Sequence, residues 1–98
     1  MQENPNKYEL KKMNLPRLQI WILAELNSSK AVKKLRGLTK NELAKRLPGD
    51  YIPDTVYRNI QVLLNLGYVA PGIKVGKANS YYITETGIKA LEEIRNEK

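Results

Sequence analysis

Apolar residues recur along this chain in three rhythms. From Leu15 to Leu26 they fall at 15, 18, 20, 21, 22, 23 and 26, all round a helix that Asn14 and Pro16 mark at its start. A helix apolar on every side is buried on every side. One small core cannot cover it, so the surplus, Leu15, Leu18, Ile20 and Trp21, either meets a second subunit or leaves a lopsided monomer with one exposed tryptophan. From Val56 to Gly67 the apolar positions are 56, 60, 63, 64 and 67, a single stripe that predicts an amphipathic helix starting near Pro53 or Asp54 and stopped by Gly67. Its opposite face carries Asp54, Arg58, Gln61, Val62 and Asn65, with Thr55 and Asn59 on one flank and Tyr57 on the other. Beyond Gly67 the rhythm becomes that of strands: Tyr68-Val69, a turn at Pro71-Gly72, Ile73-Lys74-Val75, a tip at Gly76-Lys77-Ala78-Asn79, then Tyr81-Tyr82-Ile83.

Two capping signals complete the pattern. Thr39-Lys40-Asn41-Glu42 predicts a capping box, with Leu38 and Leu43 as a hydrophobic staple, opening a short helix through Leu47 that Pro48-Gly49 ends. Thr84 is placed to cap a last helix bearing Ile88, Leu91 and Ile94. Asn27-Ser28-Ser29 breaks the first helix, and Lys30, Lys33, Lys34 and Arg36 follow as the densest basic run. Residues 1–14 read as a polar arm and 15–98 as one domain. The expected fold class is α+β, mainly α: a winged helix-turn-helix with a three-helix core, a β-hairpin wing and a C-terminal helix, the third helix serving as the reading head for a DNA major groove.

Composition narrows the chemistry. Neither Cys nor His occurs in the 98 residues, which removes thiolate nucleophiles, imidazole bases, disulfides and most metal centres, so neither an enzyme nor a cofactor or metal is expected. Gly72-x-x-x-Gly76-Lys77-Ala78 is one residue short of a phosphate-binding P-loop and has Ala where Ser or Thr belongs. The N-terminus has no basic run leading into an apolar stretch, and Leu15–Leu26 is too short for a bilayer, so a cytoplasmic, nucleoid-associated protein is expected. The formal net charge of +7 is unevenly spread. Residues 15–53 hold eight Lys and Arg against three acids, whereas residues 84–98 hold three against four. A domain presenting one basic face to a duplex has this distribution.

The segment Thr55-Val56-Tyr57-Arg58-Asn59-Ile60-Gln61-Val62-Leu63, closing at Gly67-Tyr68-Val69, resembles the recognition helix of the PadR family of winged-helix regulators. Tyr81-Tyr82-Ile83-Thr84-Glu85-Thr86-Gly87, followed by Ala90-Leu91-Glu92-Glu93, resembles the second wing strand and following helix of PadR and MarR proteins. The resemblance covers about residues 15 to 95. It implies a double-stranded DNA-binding homodimer, in most members a transcriptional regulator. PadR proteins usually dimerise through a long C-terminal helical region, and this sequence stops at Lys98. The resemblance therefore moves dimerisation to the first helix and the arm, and it extends to compact plasmid segregation proteins of the AspA and TubR type.

Residue chemistry assigns the expected contacts. Arg58 matches guanine O6 and N7, and Asn59, Gln61 and Asn65 match adenine. Each is equally at home on a solvated helix face. Thr55 lies where hydroxyls and amides meet phosphate, or simply starts a helix. Tyr57 either reaches phosphate through its hydroxyl or packs on the second helix. Lys74 and Lys77 on the wing, and Lys40 at a helix N-terminus, are the expected backbone contacts. Three functions remain open: a homodimeric transcriptional repressor on an inverted repeat, a centromere-binding segregation protein that spreads on DNA and has a further partner protein, and a winged-helix protein-interaction module.

Overall fold

Pro16, with φ near −56°, leads directly into α1 (Arg17–Ser28), the first element of a computed structural model that describes residues 15–96. A 3-10 turn (Lys34–Arg36) lies within the basic run, followed by β1 (Leu38–Thr39) and α2 (Lys40–Arg46). Next come α3 (Pro53–Asn65), β2 (Val69–Pro71), β3 (Ser80–Ile83) and α4 (Glu85–Asn96). The expected arm over residues 1–14 falls outside the described residues. No helix among the described residues is long and apolar enough to cross a membrane.

Local chemistry explains the helix starts. Thr39 Oγ1 accepts from the Glu42 amide at 3.1 Å while the Glu42 carboxylate accepts from the Thr39 amide at 2.8 Å, closing the predicted capping box. Pro53 occupies the first position of α3, where its missing N–H costs nothing. Thr84 Oγ1 accepts from the Gly87 amide at 3.0 Å and donates to the Gly67 carbonyl at 2.7 Å, so one hydroxyl caps α4 and ties it to the end of the preceding helix. Gly87 is required there: a Cβ on it would lie 2.1 Å from the Tyr68 carbonyl oxygen, so α4 can press on the start of β2 only without a side chain.

The core gathers one stripe from each helix. Ile22, Leu23 and Leu26 of α1, Leu43 of α2, Val56, Ile60 and Leu63 of α3, Ile83 of β3 and Leu91 of α4 are all essentially inaccessible. The sheet is antiparallel in the order β1-β3-β2, pairing Leu38 with Tyr81 and Val69 with Ile83.

Three expectations change. Ile73-Lys74-Val75 does not form a strand: the Ile73 amide donates to the Lys34 carbonyl at 3.1 Å, so the wing turns toward the 3-10 turn and away from a regular ladder. The tip narrows to two residues, because Val75 and Ala78 exchange both hydrogen bonds around Gly76-Lys77. Gly76 has φ of 64°, the first-position glycine of a type II′ hairpin turn. Finally, Leu38-Thr39 is a strand that ends in the Thr39 cap, which makes the sheet three-stranded.

Candidate nucleic-acid interface

The apolar stripe of α3 leaves Asp54, Arg58, Gln61, Val62 and Asn65 exposed on the far side. Tyr57, at the edge of that face, is about one-third exposed. Its hydroxyl accepts from Gln61 Nε2 at 2.6 Å, an i, i+4 contact that orients the Gln61 amide. The Lys40 ammonium stands 5.3 Å from the centre of the Tyr57 ring and 3.6 Å from the Asp54 carboxylate. The start of α2 is thereby joined electrostatically to the first turns of α3.

Between the start of α2, the flank of α3 and the wing tip lies an open groove of about 330 Å³. It is lined by Thr39, Lys40, Asn41, Tyr57, Lys77, Ala78, Asn79 and Tyr81. Lys40, at the start of α2, and Lys77, at the wing tip, bring positive charge to it, and no carboxylate lines it among the described residues. Tyr81 is almost wholly buried at its base. Burial pushes the Tyr81 phenol above its ordinary value; the neighbouring Tyr57 adds to the rise, and a hydrogen bond with Asn79 opposes it. The phenol is therefore neutral near pH 7.

The expected contact residues divide into groups. Arg58, Gln61 and Asn65 lie together on the outer face of α3, and Lys40, Tyr57 and Lys77 line the groove. Lys74 is exposed on the wing outside the groove, beside the backbone bond from Ile73 to Lys34 that brings the basic run against the wing. Thr55 is half-buried in the first turn of α3, and its carbonyl accepts from Asn59 Nδ2 at 2.9 Å. Asn59 is turned away from the outer face: its Oδ1 accepts from Gln19 Nε2 at 3.0 Å, so both ends of its amide are engaged inside the domain.

The sequence reading did not name several polar residues that the structure places here. Asn41, Asn79 and Tyr81 line the groove, and Gln19 is buried in α1. Gln19 Oε1 has no hydrogen-bond partner among the described residues. The only sequence signal for Gln19 was a polar residue inside the otherwise apolar run 18–24. Leu15, just before this helix, and Leu18, Ile20 and Trp21 on it are half-buried against the core, and the Arg17 guanidinium lies 5.8 Å from the Trp21 ring centre.

No family model matches the sequence, and no curated protein matches it. Solved structures do match, and they define the class by fold: the chain is a winged helix. TubR from Bacillus megaterium pBM400 superposes with a TM-score of 0.75 at 21% identity, covering 92% of this chain and 98% of TubR. MepR, a transcription regulator of the Staphylococcus aureus multidrug efflux pump MepA, gives 0.72 at 22% identity over 90% of this chain and 61% of MepR. YusO from Bacillus subtilis gives 0.73 at 19% identity, over 88% of this chain and 57% of YusO. The chain thus spans about six-tenths of MepR and YusO and nearly all of TubR.

Proposed function

We propose that this chain binds double-stranded DNA sequence-specifically as a homodimer and acts in transcriptional regulation, most simply as a repressor. The carrying observation is the juxtaposition of Arg58, Gln61 and Asn65 on one exposed helix face with a groove that Lys40 and Lys77 flank. The side chains on the helix suit base edges, while the lysines suit phosphates on either side. The PadR-like recognition-helix and wing motifs support the same reading, as does the fold shared with MepR, which has also been crystallised with DNA. The homodimer joins through the half-buried strip of Leu15, Leu18, Ile20 and Trp21, setting two reading helices about one helical turn apart.

A second reading, DNA segregation, is favoured by the extent of the match to TubR, which the fold covers almost end to end. Selection from a random duplex library, followed by footprinting at rising protein concentration, tests both. A repressor protects a tract of fixed length with two half-sites, whereas a segregation protein protects a tract that lengthens. Binding that does not weaken between about 50 and 200 mM salt would overturn both readings and leave a protein-interaction module.

A further inference from the structure

Asp54 is a lone carboxylate on a face otherwise suited to DNA. It is the second residue of α3 and lies on the same exposed side as Arg58 and Gln61, one and two turns further on. The N-terminal residues of a reading helix are those that reach base edges. Its side chain is 74% exposed, and its one ionic contact among the described residues is Lys40 at 3.6 Å. An ion pair this open contributes little to stability. It is also easily exchanged, because a phosphate beside the groove can take the Lys40 ammonium and leave the carboxylate facing the bases.

We propose that Asp54 reads one base pair of the target, selecting cytosine. This rests on the DNA-binding reading above. An ionised carboxylate only accepts hydrogen bonds. Against the major-groove edges it is repelled by guanine N7 and O6 and by thymine O4, and it is matched by the cytosine N4 amine. Adenine offers a donor at N6 but sets the N7 acceptor beside it. Discrimination therefore comes mainly from penalising wrong bases, as charged groups at specific interfaces do. The bland alternative is an acid stabilising the first turn through the helix dipole, a role indifferent to DNA sequence.

The test is random-library selection with the full chain, wild type against Asp54→Ala and Asp54→Asn, with a thermal melt of each. In the wild type, cytosine is expected beside the position whose preference Arg58→Ala abolishes. Asp54→Ala should lose that cytosine by about tenfold in relative binding. Asp54→Asn should shift it to adenine, because an amide matches N6 and N7 together. If both variants select the wild-type sequence and only tighten binding uniformly, Asp54 is not a reader, while the DNA-binding reading stands. If the wild type selects no sequence, both fail.

Discussion

The two faces of α3 are made from the same thirteen residues on opposite principles. On the inner face Val56, Ile60 and Leu63 have no exposed surface and belong to the core that α3 shares with α1, α2 and the sheet. On the outer face Asp54, Arg58, Gln61 and Asn65 are exposed, with only the contacts of Gln61 to Tyr57 and Asp54 to Lys40 among them. The inner face sets whether the helix exists and how it is rotated. The outer face decides what it recognises. The two should be separable by mutation, and the predictions below attack that separation in order of expected effect.

Ile60→Ala should be the most damaging. Removing a fully buried isoleucine at the centre of the stripe costs about 2–5 kcal/mol of folding stability through lost transfer energy and the cavity left behind. Denaturant titration measures this. The remaining folded protein should select the same DNA sequence. A changed preference would mean that the inner face also steers recognition.

Arg58→Ala is the converse. It should cost about 1–3 kcal/mol of specific binding, read as affinity for the selected site against a scrambled one, with the denaturation midpoint unmoved. Equal binding of both duplexes by variant and wild type would remove Arg58 from the reading role. Thr39→Ala lies between the two faces, because it deletes a cap without touching the core. It should lower stability by about 1 kcal/mol. It should also weaken DNA binding modestly, because the cap fixes the turn from which Lys40 reaches the groove. A stability loss without any change in DNA affinity would show that Lys40 is positioned independently of the cap.

The same contrast explains what could be read from sequence. The inner stripe of α3 and the capping box of α2 rest on residues three or four apart, so spacing alone reveals them. Gly87 was legible only as part of a motif; its reason, the Tyr68 carbonyl against it, is tertiary. β1 was invisible because two residues carry no period, and it exists only by pairing with Tyr81 and Ser80. Ile73-Lys74-Val75 alternates like a strand, yet its first amide is claimed by Lys34, well back in the chain. The bond that turns the Asn59 amide toward the domain was not legible, because side-chain type says nothing of direction and its partner, Gln19, is forty residues away. The groove likewise combines segments near residues 40, 57 and 78, so its lysines could be nominated singly but not as lining one groove.

The smallest effect concerns the base of that groove. Tyr81 is buried and its phenol resists ionisation, while in the unfolded chain it ionises near the ordinary value of about 10. Above that pH the unfolded state releases a proton that the native state still holds, so stability falls as pH rises. The contribution is fully present below about pH 10 and is lost progressively as the pH climbs toward the raised native value. Tyr81→Phe removes the ionisable group but keeps the ring in its place against Leu38 on the neighbouring strand. The variant should therefore lose less stability than the wild type between pH 9 and about 11, with melting temperature followed by circular dichroism at intervals across that range. Below about pH 9 the two curves should run parallel, because the phenol is neutral in both states. Parallel curves throughout would mean that the Tyr81 hydroxyl reaches solvent through the groove, and that the groove's base is as open as its walls.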